Sequence, residues 1–270
     1  MPQVQAQLPV THAAFPGQAA LDTAFSRALL REASQVGGVQ SLRVYRPDEV
    51  LAFSSLDRGA TGFAEALCAA RALGFAAVLR LAGGRAALFH RDSLAFAWCQ
   101  PSVDPRRGIE ARYLEISDIL VRALRALGVD AGVGEVPGEY CPGRYSVNAR
   151  GRVKLAGVGQ RVVRGAAYVG GVLLVDDAAR AREALLPVYR ALGLPLDPES
   201  IGSVAEEVEG LSLQSVLGAL REEFARRYEV LDFEPSPRTL AAARELAPAH
   251  ELGPGGSDAS SREAASGLSA

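Results

Sequence analysis

Between Ala131 and Asp177 the sequence offers three strand-like stretches in succession, "AGVGEV", "RYSVNARGRVKLAGVGQRVV" and "AAYVGGVLLVDD", with no helical spacing between them. Strands joined this closely pair as hairpins, because a parallel neighbour needs a crossover of about a dozen residues. One turn falls around Ala149 to Gly151. Helical stretches flank the run. In "ARYLEISDILVRALRALGV" the residues Ile116, Leu120, Ala123, Leu124 and Leu127 share one face, and Gly128 supplies the stop. A second helix is expected from about Ala178 to Leu192, bent or ended by Pro187. These features predict an α+β fold: a central mixed, mainly antiparallel sheet with flanking helices.

The rest of the chain fits that frame. Leu21, Phe25, Ala28 and Leu29 recur at helical spacing, with Asp22 and Arg31 outside the stripe. "SLRVYRP" and "EVLAFSS" read as strands parted by a turn at Pro47, and "GFAEALCAARALGF" as a helix turning Phe63, Ala66, Leu67 and Ala70 inward. "AAVLRLAGG", "AALFHRD" and "LAFAWCQ" are short strand candidates. Past Leu196 the pattern changes: Ser203 and Glu206 stand at capping-box spacing, a striped helix follows through Phe224, and another starts near Thr239. The expected organisation is a catalytic domain over 15–200, a short helical C-terminal extension over 201–250, and a disordered Gly/Ser/Ala-rich tail over 253–270.

Composition sets limits on function. A hydrophobic content of 49% over 270 residues supports a sizeable core, and a net charge of -2 gives no basis for binding nucleic acid through its phosphates. No apolar run reaches the length of a bilayer span, so no membrane association is expected. Three cysteines without a CxxC pair argue against a disulfide framework or a zinc site. They fit reduced thiols and a cytoplasmic location.

Two residues invite chemistry. Lys154 is the one lysine among 29 basic residues, all the others being arginine. A bias toward arginine explains the others and leaves the exception, which points to a place where a compact ammonium works and a planar guanidinium does not; chance retention on a surface strand is the plain alternative. Cys141 lies in "YCPG", where Pro142 biases it toward extended backbone and Gly143 permits a close approach. A cation nearby would lower its pKa and make it a nucleophile. Cys68 and Cys99 read as small core residues, and His90 as a hydrogen-bonded structural histidine. Gly157 and Gly159 share one side of the lysine strand, leaving room for an elongated apolar ligand.

With these residues in view, the stretch from Gly138 to Val175 resembles the lipoate/biotin ligase and octanoyltransferase superfamily, through Lys154, Gly157, Gln160 and Arg161 of its lysine-strand motif. "RLAGGRAALFH" is similar to the same family's R-x-x-G-G segment, with Arg80, Gly83 and Gly84. The "YCPG" turn is similar to the cysteine-dependent amidotransferase branch. The resemblance implies the ligase-type catalytic fold, Cys141 as acyl-carrying nucleophile, Lys154 on the acyl carbonyl, and substrate contacts from Arg80, Gly83, Gly84, Gly157 and Gln160. It implies lipoyl domains of 2-oxoacid dehydrogenases as acceptors and the glycine-cleavage H protein or an acyl carrier protein as donor. Leu81, Arg85 and Arg91 depart from the pattern of ATP-using ligases.

Three activities are therefore in play: an octanoyl or lipoyl transferase working through a Cys141 thioester with neither nucleotide nor metal, an ATP-dependent lipoate–protein ligase that would need ATP and Mg²⁺, and a non-catalytic binder of lipoylated domains. A cysteine presented on a turn favours the first.

Overall fold

A computed structural model describes residues 5–253. In chain order the strands and helices are β1 (Ala6–Thr11), α1 (Ala19–Ala33), β2 (Ser41–Tyr45), β3 (Val50–Phe53), α2 (Ser55–Arg58), α3 (Phe63–Ala72), β4 (Ala76–Leu79), β5 (Ala87–Phe89), β6 (Ser93–Pro101), α4 (Ile109–Ala126), β7 (Ala131–Val133), β8 (Val147–Ala149), β9 (Val153–Val163), β10 (Ala166–Leu174), α5 (Ala178–Ala191), α6 (Val204–Glu207), α7 (Leu213–Ala225), β11 (Tyr228–Asp232) and α8 (Pro237–Leu246). Eight of the strands form one sheet in the order β11-β1-β2-β6-β10-β9-β8-β7, and three form a smaller sheet, β4-β3-β5. From β2 to β7 the large sheet pairs antiparallel, as the closely spaced strands require; β1 runs parallel to both its neighbours.

β6 sits near the middle of the large sheet with both faces covered, which is why its sequence is a continuous apolar run rather than an alternation. Leu94, Phe96 and Trp98 point to the face carrying α4 and α7, where Trp98 meets Phe224 edge-on at 5.4 Å between ring centres. Cys99 points the other way, into a core built with α1 and α8. A third core joins α3 and α5 to the small sheet. Helix α5 carries Pro187 inside it and continues to Ala191. The turn at Ala149 to Gly151 is present, with Arg150 and Gly151 both at positive φ, 54° and 65°.

Several sequence expectations change in three dimensions. β2 and β3, read as neighbours across Pro47, go to different sheets. Asp22 is buried, not outside the stripe: it pairs with the fully buried Arg43. Burial pushes its carboxyl up despite the guanidinium. Cys68 is exposed on α3 rather than part of the core. Residues 201–250 are more than a helical appendage. Val216, Leu220 and Phe224 enter the core under the large sheet, and β11 pairs along β1. The expected disordered tail lies, from residue 254 on, outside the described residues. Among the described residues no helix is long and apolar enough to cross a membrane.

The segment after α8 straps the small sheet. Glu251 bridges to Val78 of β4, and His250 Nδ1–H donates to the Leu79 carbonyl at 2.6 Å. Burial, with smaller contributions from Arg27 and Arg161, lowers the His250 imidazole to about 4, against the opposing effect of its hydrogen bond to the Leu79 carbonyl. The folded pKa lies below the ordinary value of 6.5, so this histidine's contribution to stability is complete above about pH 6.5 and declines as pH falls toward 4. The expected loss is about 3 kcal/mol between pH ~7.5 and ~4. Urea titrations of the wild type and His250→Gln across that range check it: equal pH-dependent losses in both proteins would refute the assignment.

Candidate active site

The two sheets and α1 enclose a cavity of about 450 Å³. Its apolar wall includes Ala52, Val78, Ala87, Phe89 and Val172. Its floor is bare because cross-strand partners share a face: Gly159 lies opposite Gly170, and Gly157 opposite Val172. Gly170 cannot be replaced without cost, since a Cβ there would collide with the Tyr168 hydroxyl. The side of β9 left empty by glycine is thus the floor of a chamber, as the spacing of Gly157 and Gly159 suggests.

Lys154 reaches that chamber by a local irregularity. It stands three residues before Gly157, an odd separation that would put the two on opposite faces of a regular strand. Val147 pairs with Ala156 and Asn148 with Lys154, so β9 carries an extra residue and the lysine is turned over. Its Cε would lie 3.4 Å from a Cβ on Gly157. The side chain is 1% exposed, which removes the surface-strand alternative. Its Nζ donates to Glu139 Oε1 at 3.0 Å and to the carbonyls of Tyr140 and Cys141 at 2.9 Å each. Three hydrogens meet three convergent acceptors, and a planar guanidinium matches no such arrangement. That accounts for the solitary lysine.

Cys141 occupies a turn whose backbone is tied at both ends. Its N–H donates to the Tyr189 hydroxyl at 2.6 Å, and that hydroxyl donates to the Ala86 carbonyl at 2.8 Å. Burial, then the neighbouring Cys141, holds the Tyr189 phenol well above its ordinary pKa, so it stays protonated. The Cys141 φ is +43°, left-handed rather than the extended conformation that a following proline favours. Its half-buried Sγ accepts hydrogen bonds from Arg80 Nη2 and from the Arg85 N–H, each at 3.3 Å. Burial alone would push the thiol up; the charges of Arg80 and Lys154, with those two hydrogen bonds, outweigh it and the pKa is lowered. Gly84, at φ +98°, makes the approach possible: a Cβ on it would lie 2.7 Å from Sγ.

The other expected site residues are placed unevenly. Arg80 donates to the sulfur, Gly84 leaves the space beside it that a Cβ would fill, and the Gly83 carbonyl accepts from Arg80. Gln160 borders the cavity, but its amide is tied to the start of α4, accepting from Arg112 Nε at 3.0 Å and donating to the Ile109 carbonyl at 2.7 Å. Arg161 donates to the Leu81 carbonyl at 3.3 Å. Cys99 is buried, and His90 Nδ1 accepts the Asp92 N–H at 3.0 Å, a structural role.

Glu139 went unmarked in the sequence. Its side chain is wholly buried, and four donors reach it: Gly143 N–H at 3.0 Å, Ser146 Oγ at 2.6 Å and Lys154 at 3.0 Å on Oε1, and Val136 N–H at 3.0 Å on Oε2. A glutamate in a loop next to an aromatic residue carries no pattern to flag it. Tyr113 and Tyr145, stacked at 4.5 Å, also border the cavity and were likewise unmarked.

Known proteins are similar to this chain. Residues 22–225 match the family model described as the lipoyl protein ligase A/B catalytic domain. An octanoyl-[GcvH]:protein N-octanoyltransferase of Geobacillus kaustophilus is 29% identical over 161 residues, 58% of this chain and 56% of that protein. A protein of the same name from Exiguobacterium sibiricum is 36% identical over 125 residues, 45% of this chain and 44% of that one. The matched region thus spans about half the length of these curated relatives. Two solved structures share the fold: a lipoate-protein ligase A bound with ATP, at 22% identity and TM-score 0.73 over 90% of this chain and 94% of that one, and a putative lipoate protein ligase of T. acidophilum with bound lipoic acid, at 23% and 0.71 over 90% and 95%.

Proposed function

The chain belongs to the lipoyl protein ligase A/B catalytic-domain family, and from that premise we propose that it transfers an octanoyl or lipoyl group, through a thioester on Cys141, to the acceptor lysine of a lipoyl domain. The observation that carries the reading is a thiol of lowered pKa, held by two hydrogen-bond donors at 3.3 Å, beside an apolar chamber. A chamber of about 450 Å³ falls in the usual range for a small ligand.

In the first step the Cys141 thiolate attacks the acyl carbonyl carbon of the donor protein's acyl-lysine. A C–S bond forms, the C–N bond breaks, and the donor amine leaves with a proton taken from solvent, which the second step gives back. In the second step the acceptor lysine amine attacks the thioester carbonyl and loses a proton, and the C–S bond breaks to return the thiolate. Arg80 and the Arg85 N–H, already on the sulfur, are the donors assigned to the oxyanion that forms in each step. A thioester donor is already activated, and an acyl-lysine donor is exchanged for a near-identical acyl-lysine, so this chemistry requires neither ATP nor a metal ion. The names of the relatives point to the acylated glycine-cleavage H protein as donor. Three free thiols suit a cytoplasmic setting.

The test supplies octanoylated H protein and an apo lipoyl domain, with EDTA and no nucleotide, and follows both masses. The expected outcome is an octanoyl gain on the lipoyl domain and a transient adduct on Cys141. Transfer from free octanoate only when ATP and Mg²⁺ are added would make the protein a ligase, and binding without transfer would make it a non-catalytic binder.

A further inference from the structure

Among the described residues, the cation on the sulfur is Arg80, not the solitary lysine. We propose that Arg80 is the catalytic cation of Cys141, and that Lys154 is a positioning residue, tied by Glu139, that holds the turn presenting the thiol. This deepens the transferase reading and rests on Cys141 being its nucleophile.

Each hydrogen of the Lys154 ammonium has a partner away from the sulfur: Glu139 Oε1, the Tyr140 carbonyl and the carbonyl of Cys141 itself. Glu139 in turn gathers Val136, Gly143 and Ser146, so its donors come from both sides of Cys141 in the chain. The pair therefore cross-links the loop before the cysteine, the turn containing it and the strand after it. A left-handed non-glycine residue persists only where its surroundings over-determine it, and Cys141 meets that condition. Arg80, by contrast, has Nη2 at 3.3 Å from Sγ, steadied by the Gly83 carbonyl. The Arg85 guanidinium is turned instead toward Asp57, at 3.7 Å.

The remaining titratable groups around the thiol leave this division intact. Tyr113 of α4, Tyr140 of the turn and Tyr189 of α5 are all held above the ordinary phenol pKa, mainly by burial, and stay neutral. Asp57 and Glu139 are both engaged, with Ser54 and Arg85 in one case and with Lys154 in the other.

The test reads the thiol rather than the transfer, so its failure is separable from failure of the transferase reading. In a Cys68→Ser background, where the exposed thiol is removed, the rate of Cys141 alkylation by iodoacetamide is followed against pH by intact mass. Arg80→Gln is expected to raise the midpoint by about one pH unit or more, a roughly tenfold slower reaction at neutral pH. Arg80→Lys, which keeps a cation, recovers part of that shift. The double variant Glu139→Gln/Lys154→Met removes both buried charges together. It is expected to move the midpoint by well under half as much, while amide hydrogen exchange at Val136 and Gly143 rises about tenfold. A midpoint shift in the double variant equal to or larger than in Arg80→Gln would make Lys154 the cation of the sulfur. Unchanged exchange would remove its positioning role. Should Arg80→Gln fail to fold, the double variant decides alone: a midpoint raised by about a unit overturns the proposal.

Discussion

Cys141→Ser is expected to fold, to bind the acyl donor, and never to carry an acyl group. A serine hydroxyl needs a base to take its proton, and the groups on this atom are an arginine and a backbone N–H, both donors. The histidine nearest in sequence to that segment, His90, is buried with its Nδ1 occupied by Asp92. Transfer should fall by about a thousandfold or more. Intact-mass measurement after mixing with octanoylated donor checks the result. An adduct on Cys68 or Cys99, or undiminished transfer by the serine variant, would overturn the assignment of the nucleophile.

Glu139→Ala should be the most damaging single change to stability at the site. It leaves the Lys154 ammonium buried without a counter-charge and strands the N–H groups of Val136 and Gly143 and the hydroxyl of Ser146. Removing one partner of a buried ion pair typically costs about 3–5 kcal/mol, while removing both together costs far less. Urea denaturation of Glu139→Ala beside Glu139→Gln/Lys154→Met measures the difference. If the single variant lost less than about 1 kcal/mol, or no more than the double one, the hub would be dispensable.

What could be read ahead of the structure was whatever announces itself locally. The helical stripe of α4, the turn at Arg150 and Gly151, the glycine floor of β9 and the oddity of one lysine among arginines are each contained within a few residues. Cys141 was legible for the same reason. The direction of Lys154 was not, because the extra residue that turns it over is defined by pairing with β8. Glu139 escaped because its importance is a count of donors arriving from Val136, Gly143, Ser146 and Lys154, which no spacing rule encodes. The burial of Asp22 depends on Arg43, 21 residues away on another element. β1 has no counterpart in the sequence reading, and Pro9, which cannot donate to a ladder, weakens any strand signal there. Its true partner, β11, begins more than two hundred positions along the chain.

That last pairing bears on how the protein is made. Synthesis runs from the N-terminal side, so β1 leaves the ribosome ahead of every other described strand. Its register with β11, Ala6 against Tyr228 through Val10 against Asp232, cannot form until the segments between them have been translated. Until then one side of β1 offers unpaired backbone groups, the condition under which edges recruit wrong partners. Parallel pairing between such distant segments is also slow to form, since the chain between them must be ordered first. Completion of the large sheet thus comes after synthesis of every segment between β1 and β11. A nascent chain stalled before residue 228 would hold the segments that build the thiol turn and the chamber, while its outermost strand still waited for a partner.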